Sequence, residues 1–288
     1  MVKSVKIKRL IPKKGRIKLK RAILIIAIIL VIILIGGVCV SIILNATQKI
    51  DNPIATIKMK GYDESIVVEL YPEYAENTVA NFIMLANNGF YNELKIHRVE
   101  DTLIQGGDSS GDGTGSPRLS DLDKSIEKDS DADELYSIPG EFQKNGYENN
   151  TLKFERGVIG MARGDYTSYS SSLKKESYNS AGSQFFIMTE SLASLNGNYA
   201  AFGKVISGME TVDSISKVET AVDESKNEET GEVTKTETTR PATDVIIESI
   251  TIDTHGVEYK KPKTNEVFDL YSWYMKTYNN SSSTTHTH

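Results

Sequence analysis

The chain has 288 residues, 25% charged and 39% hydrophobic, an ordinary composition for one large globular domain or two small ones. Its charge is uneven: residues 1–21 carry ten Lys or Arg and no acid, whereas 39 acidic and 22 basic residues follow from position 51 onward. The net charge of −17 on that second part excludes a nucleic-acid binder, because such a surface repels phosphates.

An uncharged run of 23 residues, Ala22–Leu44, follows the basic arm 1–21. Because this run can cross a hydrocarbon core of about 30 Å as a helix, the sequence favours a transmembrane helix at 22–44. The preceding positive charges predict a cytoplasmic N-terminus, with the linker 45–53 and the rest of the chain extracytoplasmic. The alternative is a cleaved secretory signal, although the apolar run is longer than such signals usually have.

Cys39 is the only cysteine and lies inside the predicted span. The outer part of the chain therefore has neither an internal disulfide nor a thiol nucleophile. We interpret Cys39 as an apolar residue of the helix.

Short segments of strand type dominate the chain after the linker. Ile54–Lys60 and Ser65–Leu70 alternate apolar and polar residues and predict a hairpin, and further strands are predicted at 95–99, 103–106, 157–161, 184–188, 202–206 and 245–252. Two helices are predicted among them, Glu76–Asn88 and Met209–Val218. This set of elements indicates a mainly β fold, either an antiparallel sandwich or a closed barrel.

Three segments stand out by composition, and we expect all three to be solvated loops. They are the acidic Asp121–Glu134, the Ser- and Tyr-rich Gly164–Tyr178 and the Glu- and Thr-rich Val222–Arg240. Contact of the acidic insertions with the cell wall is the functional alternative. In the C-terminal tail, 255–288, apolar and Tyr residues from Val267 to Tyr278 recur at helical spacing and predict a short helix.

Several motifs fail the requirements of the chemistry they suggest. Asp108–Leu119 begins like a calcium loop, but its twelfth position is Leu119 instead of Glu, and its glycines lack the spacing of a nucleotide cradle. Of four histidines only His97 lies in a promising stretch, so we predict no metal site. The sequence AGSQF lacks the second glycine of a hydrolase nucleophile elbow.

A series of segments, in chain order, resembles the signature segments of the cyclophilin peptidyl-prolyl cis-trans isomerases. These segments are IHRV with QGGD, GVIGMAR, NSAGSQFFI and LNGNYAAFGKVISGME, and the likeness extends over about 54–254. The resemblance implies a closed eight-stranded antiparallel barrel with two capping helices. It also implies an active groove on the outer face and a reaction without a cofactor.

The resemblance also implies roles for single residues. Arg98 would be the catalytic residue, because its charged guanidinium could donate to the proline nitrogen of a twisted X-Pro amide. Gln105 and Gln184 would hold Arg98 and the substrate backbone, and His97 would orient its strand through a hydrogen bond. The remaining substrate-binding residues would line the proline pocket or its wall: Leu103, Ala162, Arg163, Phe186, Leu195 and Tyr199.

The segment between Arg98 and Gln105 departs from the family pattern. It is one residue shorter than usual, Thr102 stands where the family has an aromatic residue, and Glu100 and Asp101 replace apolar and turn residues. Loss of a ring removes part of the apolar contact with proline, since burying a large side chain contributes about 1.5–3 kcal/mol. These changes predict weak catalysis.

We therefore expect a membrane-anchored isomerase that acts on proline-containing segments of exported polypeptides. The alternatives are a binding module of the same fold that has lost catalysis, and a structural surface protein that contacts the cell wall. Altered residues between Arg98 and Gln105 motivate the first alternative, and the acidic insertions motivate the second.

Overall fold

The computed structural model describes residues 24, 26–31, 33–35, 51–226 and 233–283, without the side chains of 278–283. It divides the chain into two units, Met1–Asp51 and Asn52–His288. The predicted arm 1–21 lies outside the described residues, as does most of the predicted span 22–44 and of the linker 45–53. Described residues of that span are helical, and none of the described helices combines the length and apolar character needed to cross a membrane.

The second unit is built on a closed antiparallel barrel of eight strands, in the order β1-β11-β3-β4-β7-β6-β8-β2. The barrel prediction is thereby confirmed, and the sandwich alternative is wrong. The strands are β1 Ile54–Met59, β2 Ile66–Leu70, β3 Lys95–Glu100, β4 Leu103–Asp108, β6 Val158–Met161, β7 Phe185–Met188, β8 Ala200–Ser207 and β11 Val245–Asp253.

The alternation in the sequence explains the core. In β1 the residues Ala55, Ile57 and Met59 are buried while their neighbours are more exposed, because successive side chains of a strand point to opposite faces. Two helices add apolar faces to the same cluster: Pro72–Asn87 packs against β8 and β11, and Met209–Ser216 packs against β2, β3 and β4. The first helix begins four residues before the predicted Glu76, because Pro72 suits a first helical turn.

The Glu- and Thr-rich segment differs from its prediction. Val222–Arg240 belongs to an exposed hairpin of β9 Thr220–Lys226 and β10 Val233–Pro241, with 227–232 outside the described residues. Its Thr and Val residues favour strands, and the Lys235–Glu224 and Arg240–Asp223 ion pairs join the two strands at 2.6 and 2.9 Å. The prediction of a loop was therefore wrong here.

The other two insertions are also ordered locally. In the acidic one, Leu119–Leu122 is a short helix, and Asp133 Oδ1 and Oδ2 accept from the backbone N–H groups of Ser120 and Asp129 at 2.9 Å each. The Ser- and Tyr-rich one contains a 3-10 turn, Ser171–Leu173, and a helix, Lys174–Tyr178. Two further 3-10 turns occupy Gln143–Asn145 and Ala193–Leu195.

The C-terminal segment adds one short strand and one helix to the second unit. Its strand β12, Asn265–Glu266, pairs with β5, Tyr136–Ser137, and the predicted short helix spans Leu270–Ser283.

One buried amide connects the first long helix to the loop before β7. Asn81 is fully buried; its Nδ2 donates to the carbonyl of Gly182 at 2.8 Å, and its Oδ1 accepts from the hydroxyl of Tyr136 at 2.8 Å. Since Gly182 lies two residues before Gln184, this amide fixes a loop that carries a predicted site residue.

We predict that Asn81→Leu lowers the free energy of unfolding by about 2–4 kcal/mol, because it leaves the buried Tyr136 hydroxyl and the half-buried Gly182 carbonyl without this partner. Urea denaturation of the full chain, followed by circular dichroism, measures the change. The control Asn149→Leu, at an exposed position, should change it by less than about 0.5 kcal/mol. Equal stability of both variants would contradict the role of Asn81.

Candidate active site

A single row of residues crosses five strands of the barrel. Arg98 pairs with Gln105, Gln105 with Phe186, Phe186 with Gly160, and Gly160 with Ala201. Partners directly opposite in neighbouring strands share one face of a sheet. The register thus brings residues from four distant parts of the sequence onto one face.

The polar end of this face is a chain of hydrogen bonds. Arg98 Nη1 donates to Gln105 Oε1 at 2.9 Å, and Gln105 Nε2 donates to Gln184 Oε1 at 3.0 Å. Gln184 Nε2 continues to the carbonyls of Gly113 and Gly115 at 3.0 and 3.1 Å. The three residues predicted for catalysis and backbone binding therefore lie together and hold one another.

Arg98 has a second partner that the sequence did not reveal. Its Nε and Nη2 both donate to Glu100 Oε1, at 3.0 and 2.6 Å. The side chains of Arg98 and Glu100 are 40% and 33% exposed. Of the five N–H groups of the guanidinium, one on Nη1 and one on Nη2 have no partner among the described residues.

The apolar end of the face is a separate small cluster. Leu103 and Phe186 are buried in it, next to Phe154 and Met188. Three further predicted pocket residues pack on its border, namely Ala162, Leu195 and Tyr199. The Phe186 ring stacks on Phe154 with centroids 5.4 Å apart and meets Tyr199 edge to face at 5.8 Å.

Gly160 lies beneath the stacked rings of Phe154 and Phe186. A Cβ atom at that position would come within 2.5 Å of both Phe154 and Phe186, so a glycine is required for the rings to approach the sheet. The sequence did not predict Phe154, because an isolated Phe in a loop is indistinguishable from an ordinary core residue.

Arg163 sits beside the pocket under aromatic rings. Its guanidinium carbon lies 4.7 Å from the Tyr199 centroid and 5.0 Å from that of Tyr178, and its Nε donates to the Asn198 carbonyl at 3.0 Å. These cation–π contacts and the hydrogen bond fix Tyr199 at the border of the apolar cluster.

His97 is buried, and its orienting role stays a prediction. Neither ring nitrogen makes a well-formed hydrogen bond among the described residues, although a contact with the Lys95 backbone contributes to the pKa of the ring. Burial is the main cause that lowers its pKa below the ordinary 6.5, and the nearby Asp108 carboxylate opposes this shift only in part. A neutral imidazole at pH 7 is the consequence.

Asp108, the first acidic residue of the loop that resembled a calcium site, binds backbone N–H groups of that loop. Asp108 is fully buried, and its Oδ2 accepts from the backbone N–H groups of Asp112 and Gly113 at 2.8 and 2.7 Å. Asp108 thus shapes the turn beside Gln184. Within the described part of the chain, no group of three or more His, Cys, Asp or Glu could hold a metal ion.

A cleft of about 360 Å³ opens next to Arg98, and the β9–β10 hairpin forms part of it. From the barrel and its loops come His97, Arg98, Gln105, Asp112 and Gly113; from the hairpin come Asp223, Thr238, Thr239 and Arg240. The sequence did not predict the hairpin residues, because their proximity to Arg98 depends on tertiary contacts across more than a hundred residues.

Comparison with known proteins identifies the family. The model of the family described as cyclophilin type peptidyl-prolyl cis-trans isomerase/CLD matches residues 54–252. Peptidyl-prolyl cis-trans isomerase B of Bacillus subtilis is 38% identical over 146 residues, which cover 50% of this chain and 78% of that protein. A probable peptidyl-prolyl cis-trans isomerase of Brucella suis is 33% identical over 174 residues, 59% of this chain and 76% of the relative.

Among solved structures, a Cryptosporidium parvum cyclophilin type peptidyl-prolyl cis-trans isomerase superposes with a TM-score of 0.49 at 25% identity, covering 70% of this chain and 97% of its own. The match of the family model over 54–252, together with the barrel, decides the assignment. The chain belongs to the cyclophilin-type peptidyl-prolyl cis-trans isomerases.

Proposed function

We propose that Arg98 catalyses the isomerisation by stabilising the twisted X-Pro amide. One observation supports this proposal above all: the guanidinium is held by Gln105 at 2.9 Å beside an apolar cluster that contains Phe186. A proline ring on that cluster would bring its nitrogen close to the N–H groups of Arg98 that lack partners.

The physics of the reaction suits this arrangement. Rotation about an X-Pro bond must break amide resonance, over a barrier of about 18–20 kcal/mol, and localises the lone pair on nitrogen. A donor aimed at that nitrogen interacts more strongly with the twisted amide than with either planar isomer, so it lowers the barrier. Neither a nucleophile nor a cofactor is needed.

The substrate would lie across both ends of the face. Its proline would contact Leu103 and Phe186, while Gln105 and Gln184 offer hydrogen bonds to the flanking backbone. Thr102 supplies no ring to this pocket, so less apolar area contacts the proline than an aromatic side chain would provide. We therefore expect a modest catalytic rate on short peptides.

A second function is favoured by the contact between Arg98 and Glu100. Two of the donors of Arg98 end on one carboxylate oxygen, which partly neutralises the charge that the twisted amide would use. If this effect dominates, the chain binds proline-containing segments and isomerises them weakly, as a scaffold or chaperone would.

We also propose where the domain works. The basic arm 1–21 before the apolar run 22–44 favours a single-pass anchor with the second unit outside the cell membrane. There the isomerase would assist the folding of exported polypeptides, and the acidic insertion Asp121–Glu134 would offer carboxylates to cell-wall cations.

Arg98→Ala should lower kcat/KM for a Xaa-Pro test peptide about 100- to 1,000-fold, as loss of a transition-state donor does. Arg98→Lys should also have a low kcat/KM, because an ammonium lacks the planar set of donors of a guanidinium. A protease-coupled isomerisation assay measures the rate. The control Arg156→Ala removes an exposed arginine paired with Asp213 and should leave the rate unchanged. A kcat/KM of Arg98→Ala within two-fold of the wild-type value would contradict the proposal.

Glu100→Gln should raise kcat/KM about two- to five-fold, because an acceptor remains for Arg98 while the neutralising charge is lost. Glu248→Gln is the matched control, since Glu248 forms an exposed ion pair with Lys58 at 2.8 Å. The same assay separates the two candidate functions: activity that appears only in Glu100→Gln selects the binding module. A rate equal to wild type would show that Glu100 does not restrain Arg98.

The location can be tested with cysteine labelling, because Cys39 is the only native thiol. In a Cys39→Ser background, Asn149→Cys should react with a membrane-impermeant maleimide in intact cells, since Asn149 is exposed. Ser4→Cys, in the basic arm, should react only after permeabilisation. Labelling of Asn149→Cys only in lysed cells would contradict an extracytoplasmic domain.

A further inference from the structure

The β9–β10 hairpin adds a second wall beside the candidate catalytic residue. Strand β10 lies against β3, the strand that carries Arg98. The base of the hairpin is fixed, because the backbone N–H of Ala242 donates to the carbonyl of Glu219 at 2.8 Å and Pro241 pairs with Thr220. The cleft between hairpin and barrel is therefore a built feature of the fold.

Most of the charged side chains that line this cleft have oppositely charged partners. Arg98 is bonded to Glu100, and Arg240 Nη2 donates to Asp223 Oδ1 at 2.9 Å. His97 is buried, and burial lowers the pKa of its ring, which favours the neutral imidazole beside Asp112. Among the described residues that line the cleft, this leaves Asp112 as the charged group without an oppositely charged partner.

The Asp112 carboxylate is held in place with one oxygen open. Its Oδ1 accepts from the backbone N–H and the hydroxyl of Thr114 at 2.9 and 2.6 Å, and these bonds lower its pKa. Its Oδ2 has no hydrogen-bond partner among the described residues. Since Asp108 binds the backbone N–H groups of Asp112 and Gly113, the position of this negative charge is fixed relative to Gln184.

We propose that this cleft is a substrate subsite that selects a Lys or Arg side chain close to the isomerised proline, with Asp112 as its charged partner. The inference rests on the proposed function, because Arg98 and Gln105 line both the cleft and the site of isomerisation. A bound peptide that passes Arg98 can therefore place a neighbouring side chain in the same cleft, which Arg98 and Asp112 both line. The hairpin wall confines the long side chain next to the carboxylate.

The test uses the full chain in detergent and three Xaa-Pro peptides. The peptides differ only at one position flanking Xaa-Pro, and this position is Lys, Gln or Glu. Wild type should isomerise the Lys peptide about two- to five-fold faster, in kcat/KM, than the Glu peptide, the range expected of one exposed ion pair. The preference should shrink at high salt, because exposed charges are screened.

Two variants and a control assign the preference to Asp112. Asp112→Asn should make kcat/KM equal for the Lys and Glu peptides. Asp112→Lys should make kcat/KM higher for the Glu peptide than for the Lys peptide. Glu258→Gln removes the same charge from an exposed position outside the cleft and should keep the wild-type ratio. A ratio that keeps its wild-type value in both Asp112 variants overturns the subsite.

The outcome for the subsite is separate from the outcome for the proposed function. Isomerisation of the Gln peptide supports the proposed function whichever way the Lys-to-Glu ratio falls. If no peptide is isomerised, the proposed function fails, and fluorescence anisotropy of the same labelled peptides decides the inference. Tighter binding of the Lys peptide that is lost in Asp112→Asn supports the subsite; equal affinities for all three peptides overturn it.

Discussion

The amide of Gln105 is the contact on which the candidate site depends. Its oxygen accepts from Arg98 and its nitrogen donates to Gln184, so a single side chain connects β3, β4 and the start of β7. An amide can do both at once because it carries an acceptor and a donor at opposite ends. Without it, Arg98 would retain only Glu100 as a partner, and the guanidinium would be drawn away from the row that contains Phe186.

That amide can act only because buried contacts fix the strands and loops around it. Gly107 has a left-handed backbone with φ of 82°, and a Cβ there would lie 2.7 Å from the carbonyl of Ser183. The hydroxyl of Ser183 donates to the Gly107 carbonyl at 2.7 Å, and that of Tyr91 donates to the Ser183 carbonyl at 3.1 Å. Buried polar groups of this kind are costly to leave unpaired, so they determine how β4 and the loop before β7 meet.

Much of this arrangement could be predicted from the sequence, for physical reasons. Alternating residues identified β1 and β2, because one face of each of these strands is buried. The other barrel strands were predicted as short segments of strand type, and β6 and β7 are buried along their whole length. The family resemblance identified Arg98, Gln105, Gln184 and Phe186, and the structure brings these four together. Roles in binding and catalysis remain predictions, because proximity alone does not establish what a side chain does to a substrate.

Two of the misses depend on a partner distant in sequence or on the packing around a single side chain, whereas a third is local. Val222–Arg240 has the polar composition of a loop, yet its two halves pair as a hairpin and border the cleft at Arg98. Glu100 was recognised as a departure, but its contact with Arg98 was missed although it is local, because residues i and i+2 of the strand β3 share a face. His97 was expected to form an orienting hydrogen bond, and its buried ring nitrogens make no well-formed one among the described residues.

A double-mutant cycle between Arg98 and Gln105, measured as kcat/KM on one Xaa-Pro peptide, tests the account most directly. If Gln105 acts chiefly by holding Arg98, the double alanine variant should lose far less than the product of the two single losses, because residues in one hydrogen-bond network are coupled. Losses that multiply would contradict the account, since they would mean that the two side chains act independently.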